Sequence, residues 1–302
     1  MKITILIIGV LVIAGLVFRN DLGGLMAADK PQLQENGDKK KKDKKKEQGK
    51  KEQEPASAAI SISQKWDLPA ELKEISGLAW LADNRFACVQ DEKGTVFIYN
   101  TEQNKIEKQI PFAGAGDYEG ITINGNTIYV VRADGHLYEV DMNSKAPAKE
   151  YKTPLTVEHN IEGLCYDKNN DRLLLAAKND QNGAMQKHIY VFDLNKKELL
   201  KQPAYSIDLS NEMLTGSAGK KKSKSVMPSA IAINPRTGEL FITDGPGSRL
   251  LILANSGDIK QVHNLGKDFA QPEGITFSPA GDMFISNEGT KNPGNILKVA
   301  IQ

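Results

Sequence analysis

The chain predicts an all-β fold, a single β-propeller of four-stranded blades. Three observations carry that reading: a short phrase that recurs five times, the spacing between its copies, and the strand-and-turn pattern after each. The phrase is a [Glu/Ser]-[Gly/Ala]-[Ile/Leu] step. It occurs as Ile75-Ser76-Gly77-Leu78, Tyr118-Glu119-Gly120-Ile121, Ile161-Glu162-Gly163-Leu164, Pro228-Ser229-Ala230-Ile231 and Pro272-Glu273-Gly274-Ile275. Counted from the Ser or Glu, the copies stand 43, 43, 67 and 44 residues apart, the period of one four-stranded blade.

Each copy opens a set of short strands. In the first repeat Gly77-Leu78-Ala79-Trp80 precedes Arg85-Phe86-Ala87-Cys88-Val89 and then Thr95-Val96-Phe97-Ile98-Tyr99. The second has Ile121-Thr122-Ile123, Thr127-Ile128-Tyr129-Val130-Val131 and His136-Leu137-Tyr138-Glu139-Val140. The fourth has Ile231-Ala232-Ile233, Glu239-Leu240-Phe241-Ile242-Thr243 and Arg249-Leu250-Leu251-Ile252-Leu253. β-Branched and aromatic residues favour the pleated surface, and Asn124-Gly125, Thr237-Gly238 and Ala280-Gly281 supply the turns. No amphipathic helix of useful length interrupts them.

Five repeats predict five blades. The 67-residue interval leaves six open if residues 199–214 are more structured than their composition suggests. That interval also holds a Gly/Ser/Lys segment from Thr215 to Ser225, which reads as a loop. The last repeat stops near Ile296-Leu297-Lys298-Val299, one strand short, and residues 59–68 are a fitting donor. A ring closed by strands from both ends removes the exposed edge of an open sheet.

The N-terminus reads differently. Residues 3–18 are an apolar stretch of 16 behind Lys2, ended by Arg19-Asn20-Asp21. Its length lies between a secretion signal and a spanning helix. Residues 1–28 therefore predict either a cleaved signal peptide or an N-terminal membrane anchor, and both place the rest outside the cytoplasm, in the periplasm or cell envelope. Residues 29–59 are Lys-rich and low in complexity, a solvated tether rather than a folded unit, with contact to anionic headgroups as the other reading. The propeller domain is 60–302.

Without residues 1–59 the chain has 27 basic and 30 acidic side chains, a net charge of roughly −3, so nucleic-acid binding has no compositional support. The propeller is expected to be a monomer. Cys88 and Cys165 sit in strand patterns of non-adjacent repeats, too far apart for a disulfide, and read as buried free thiols.

The phrases Glu74-Ile75-Ser76-Gly77-Leu78, Tyr118-Glu119-Gly120-Ile121, Ile161-Glu162-Gly163-Leu164-Cys165-Tyr166-Asp167, Ala176-Ala177-Lys178 and Pro272-Glu273-Gly274-Ile275, in that order, resemble the SdiA-regulated (YjiK-like) bacterial propellers, themselves similar to NHL-repeat proteins. The resemblance spans roughly Trp66 to Val299. It implies an exported propeller, often with calcium bound, and no established enzymatic activity. Pro228-Ser229-Ala230-Ile231 and the basic insertion before it depart from the pattern.

In a propeller the first strand of each repeat lines the channel, so Ser76, Glu119, Glu162, Ser229 and Glu273 form one ring. About 14 residues further on, the second strands end near the same face, with Asp91, Arg132, Lys178, Asp244, Asn287 and Glu288. Carboxylates crowded in a narrow mouth repel one another and shift upward in pKa unless neutralised. A hard cation relieves this, and Ca²⁺ suits mixed carboxylate, hydroxyl and amide oxygens. Glu119, Glu162, Glu273 and Asp244 are the candidate metal ligands. Ser76, Asp91, Arg132, Lys178, Ser229, Asn287 and Glu288 are candidates to bind a further ligand. The bland alternative is a salt-bridge plug in which Arg132 and Lys178 pair with the glutamates.

Two functions follow. One is a binding module that holds Ca²⁺ in its mouth and presents loops to a protein or small molecule; an aromatic content of 6% argues against a broad sugar-stacking surface. The other is a metal-dependent lactone or ester hydrolase, resembling gluconolactonase-type propellers. The four histidines (136, 159, 188, 263) have no metal-ligand spacing, and no Gly-x-Ser-x-Gly elbow occurs.

Overall fold

Strands that follow one another closely in the chain pair with each other, so each repeat closes into its own antiparallel sheet. The computed structural model describes residues 60–179, 185–215 and 225–302. The leader and tether readings (1–59) and most of the Gly/Ser/Lys loop (216–224) lie outside the described residues. The first strand, β1 (Ile60–Asp67), belongs to the last blade. Blade one holds β2 (Ile75–Ala82), β3 (Arg85–Gln90), β4 (Lys93–Asn100) and β5 (Lys105–Ala115). Blade two holds β6 (Tyr118–Asn124), β7 (Thr127–Arg132), β8 (Leu137–Asp141) and β9 (Lys149–Tyr151). Blade three holds β10 (Ile161–Asp167), β11 (Arg172–Ala177), β12 (Gln186–Asp193), β13 (Glu198–Leu199) and β14 (Tyr205–Asp208). Blade four holds β15 (Pro228–Ile233), β16 (Leu240–Asp244), β17 (Arg249–Leu253) and β18 (Ile259–Asn264). Blade five holds β19 (Pro272–Phe277), β20 (Met283–Asn287) and β21 (Asn295–Ile301), with β1 paired antiparallel on the outside of β21.

The blade count is therefore five. Among the described residues the long interval builds no sixth sheet: β13 and β14 pair with different stretches of β12 as a broken outer edge, followed by a four-residue helix, Glu212–Thr215. The turns expected at Gly125, Gly238 and Gly281 all take positive φ, 60°, 75° and 83°, which glycine adopts without strain.

The hydrophobic core lies between the blades. One buried cluster joins each neighbouring pair, as with Val89 and Val96 against Ile121 and Val130, or Phe86 and Cys88 against Phe284 and Ile296. Each such side chain contributes about 1.5–3 kcal/mol when fully buried, so the apolar faces hold the ring; the channel itself is lined by Leu78, Ile121, Leu164, Ile231 and Ile275, and the polar phrase residues gather at one of its ends. Both cysteines are buried free thiols.

At the phrase itself every innermost strand carries a β-bulge. Ile75 pairs with Gln90 and Gly77 with Val89, which leaves Ser76 out of register; Glu119, Glu162, Ser229 and Glu273 are skipped in the same way. A bulge bends its strand and re-aims the extra side chain. The glycine after it has a separate reason. A Cβ on Gly120 would stand 2.7 Å from the Glu162 carbonyl oxygen, and one on Gly77 would stand 2.8 Å from that of Glu119. Neighbouring inner strands come that close because the side chain is absent.

Candidate functional site

The five bulges bring the phrase residues to one end of the channel. Ser76, Glu119, Glu162 and Glu273 line a cavity of about 120 Å³ together with Glu74, Asp91, Lys178, Gln271 and Glu288. Six carboxylates and one amine share this space. The two serines serve another purpose besides. Ser76 Oγ donates to the Tyr118 carbonyl at 2.6 Å and Ser229 Oγ to the Pro272 carbonyl at 2.5 Å, each tying its blade to the next blade's bulge.

Glu162 is the most buried of the three glutamates, at 4% exposure. Lys178 Nζ lies 2.7 Å from its Oε1, and Asn160 Nδ2 donates to the same oxygen at 2.8 Å. Its Oε2 is buried with no partner, and so is Oδ1 of Asp91. Burial pushes the Glu162 carboxyl up to about 7, with Lys178 pulling against it. Glu119 rises to about 9, through burial first and then through Glu162 and Asp117. Glu273 rises to about 7, through burial and Glu162, again opposed by Lys178. Burial also raises Asp91, reinforced by Glu74, and Glu288, reinforced by Asp91. The Lys178 ammonium is itself held above its ordinary value: burial opposes this, but Glu162, Glu273 and Glu119 outweigh it.

Four of the residues singled out in the sequence stand outside this cavity: Arg132, Ser229, Asp244 and Asn287. For Arg132, Asp244 and Asn287 the reason is register. Arg132, Asp244 and Asn287 are the last paired residues of their second strands, opposite Tyr118, Pro228 and Pro272. Lys178 and Glu288 follow the equivalent pairs of Ile161 with Ala177 and Pro272 with Asn287, as Asp91 follows Ile75 with Gln90. One residue along a strand reverses the side chain's face. Asp91, Lys178 and Glu288 thus reach the mouth, while Ala133 and Gly245 hold the position in blades two and four.

The side chains one step earlier are engaged elsewhere. Asp244, fully buried, is gripped by Arg249 Nε at 2.8 Å and Nη2 at 2.5 Å and accepts from the Gly247 amide, so it belongs to a packing pair and not to the carboxylate ring. Arg132 pairs with Asp134 at 2.7 Å and donates to the Tyr138 hydroxyl at 3.0 Å. Asn287 Nδ2 donates to Asn295 Oδ1 at 3.0 Å. Of the proposed plug, the Lys178–Glu162 pair is present and the Arg132 pair to a glutamate is not.

Sequence reasoning missed a third layer. Glu74, Asp117, Asn160 and Gln271 each stand two residues before the bulge and edge the mouth or touch its glutamates. Their constant offset was a readable signal. Among the described residues, no group of three or more His, Cys, Asp or Glu side chains stands in position to hold a metal ion.

Several solved propellers are similar in fold. The glutaminyl cyclase of Myxococcus xanthus aligns at 17% identity over 82% of this chain and 99% of its own, with a TM-score of 0.56. A protein of unknown function from Bacteroides thetaiotaomicron aligns at 13% identity over 76% and 58%, TM-score 0.51. A gluconolactonase from Xanthomonas campestris aligns at 12% over 75% and 72%, TM-score 0.50. At such identities the likeness is one of fold. No curated protein matches the chain in sequence. The SdiA-regulated family model matches residues 57–290, a span that takes in all five phrases and their bulges, and the chain belongs to the SdiA-regulated family.

Proposed function

We propose that this protein is a binding module whose acidic mouth takes a cation, with Ca²⁺ the ion its oxygen donors suit best. The observation that carries the reading is the charge imbalance of the cavity: six carboxylates face one amine, and Glu162 Oε2 and Asp91 Oδ1 have no partner. Unpartnered buried oxygens of this kind cost free energy until a proton, a cation or a donor reaches them. Glu119, Glu162 and Glu273 are the ligands on this reading, with Asp91 and Glu288 beside them. Asp244 drops out because Arg249 neutralises it. Among the described residues no group of three or more such side chains stands in position to hold an ion as it is, so on this reading binding includes rotation of the long glutamate arms. The ion then braces the mouth against which a protein or small molecule docks.

The apolar stretch at residues 3–18 and the Lys-rich residues after it support an exported protein, secreted or tethered to a membrane outside the cytoplasm. Hydrolysis finds less support at the mouth, where the single cation, Lys178, is engaged by Glu162.

Thermal unfolding of the full chain tests the cation site. Ca²⁺ at about 100 times its dissociation constant contributes about 2.7 kcal/mol by mass action, which raises the midpoint by several degrees in a chain of this size. Glu162→Gln and Glu119→Gln are expected to abolish most of that rise. An unchanged midpoint in the parent, or an equal rise in both variants, overturns the reading.

A further inference from the structure

A larger cavity lies on the seam of the ring, where blade five, closed by β1, meets blade one. It measures about 710 Å³ and is lined by Trp66 of β1, Trp80 of β2, Phe86, Phe284 and a polar rim. The chain has two tryptophans, and both are here, each half-buried. Phe86 and Phe284 form the floor, edge to face with centroids 4.9 Å apart, and Trp66 leans on Phe284 at 6.4 Å. Rings packed behind the Trp66 indole fix it while part of its surface stays open. Thin aromatic content argued against a broad stacking surface; ring closure instead gathers the tryptophans into one groove.

The rim is built of planar acceptors and donors. Asp83 and Asn84 occupy the β2–β3 turn, with Asn84 at φ 59°, and Thr101 locks that turn through its amide and hydroxyl to the Asn84 carbonyl at 2.8 and 3.2 Å. Gln64 and Glu102 complete it. On the opposite wall Lys298 pairs with Asp282 at 3.2 Å and lies 5.9 Å above the Phe284 ring. The groove's own ammonium thus already covers that aromatic face.

We infer that this groove is a saccharide-binding site. A pyranose has an apolar, weakly positive C–H face that stacks on the electron-rich face of an indole, and a rim of hydroxyls that carboxylates and carboxamides bond in pairs. The volume lies in the ordinary range of small-ligand pockets, about 300–1,000 Å³. An organic cation fits less well, since Lys298 sits over Phe284 already. The site is separate from the acidic mouth, at the other end of the inner strands.

Because both tryptophans line the groove, intrinsic fluorescence of the full chain reads binding directly. Cellobiose, maltose and N,N′-diacetylchitobiose are titrated, with tetramethylammonium chloride as the cationic probe. At least one disaccharide is expected to quench or blue-shift the emission, half-saturating at about 1 mM or below. Asp83→Ala, on an exposed turn, and Trp66→Phe, which keeps the floor packed, are each expected to weaken that binding about tenfold without lowering the unfolding midpoint by more than a few degrees. Glu162→Gln leaves it unchanged, so failure here and failure of the cation site are distinguishable. Emission that no disaccharide alters, a response to tetramethylammonium alone, or binding that survives both groove variants overturns the inference.

Discussion

Glu162 has one oxygen shared by an ammonium and an amide, and one oxygen left over. Its partner Lys178 is the only cation among the cavity-lining residues, so the pair decides how much negative charge the mouth can hold. Removing Lys178 leaves a buried carboxylate with nothing opposite it. Lys178→Ala should cost about 3 kcal/mol at pH 8, where Glu162, at about 7, is ionised in the parent. At pH 5 the carboxyl holds a proton in both proteins and the cost should fall below about 1 kcal/mol. Guanidinium unfolding at the two pH values measures it. Equal costs would mean that Lys178 matters for packing alone. The same scale explains which site residues could be read from sequence. Glu119, Glu162 and Glu273 were visible because each begins a repeated phrase; the partners of Asp244 and Arg132 were not, because Arg249 and Asp134 sit at different offsets from them and are brought near by turns.

At the scale of one strand, the bulge is what sets each glutamate apart from the ladder. It was legible as a recurring phrase and illegible as a bulge, since nothing in Glu-Gly-Ile states that the Glu is skipped in the ladder. The same gap caused the mixed second ring: a count of about 14 residues finds the end of the next strand but not its last pair, and one residue decides the face. Asp91, Lys178 and Glu288 fell on the mouth side, Arg132, Asp244 and Asn287 on the other. The glycine that follows four of the five bulges lets the inner strands pack closely, as at Gly77 and Gly120. Gly120→Ala would press a methyl group onto the Glu162 carbonyl at 2.7 Å and Leu164 Cβ at 2.7 Å. Neither is the free end of a flexible side chain, so the cost should be about 1–3 kcal/mol, seen as a lower denaturant midpoint with an unchanged slope. Blade four holds Ala230 at this position, and Ala230→Gly should cost no more than about 1 kcal/mol through chain entropy. A Gly120→Ala protein as stable as the parent would remove the packing argument for the phrase.

The whole ring was the most legible level, since period and donor strand are both properties of a linear repeat: five blades and closure through β1 follow from spacing and from the missing last strand. The broken edge of blade three was not legible, because β13 and β14 are two and four residues long. A ring of inter-blade cores leaves its acids on the axis, and this makes stability depend on pH in a direction that separates the two readings of the mouth. Glu119, Glu162 and Glu273 sit at about 9, 7 and 7, above the ordinary glutamate value of 4.5. Between that value and the raised one the native state binds more protons than the unfolded chain, and stability falls as pH rises. With chelator present, the unfolding midpoint should therefore be highest near pH 5 and decline through pH 7 to 9. A closed salt-bridge plug would hold its carboxylates below their ordinary values and give the opposite slope, with stability lost in acid. A bound cation favours the ionised glutamates, so added Ca²⁺ should stabilise least at pH 5 and most at pH 8, flattening or reversing the decline. Midpoints measured across pH 5–9 with and without Ca²⁺ decide between them. A chelated protein that grows more stable from pH 5 to 8 would mean that the glutamates are already neutralised by the chain itself, and the mouth would then be a structural plug.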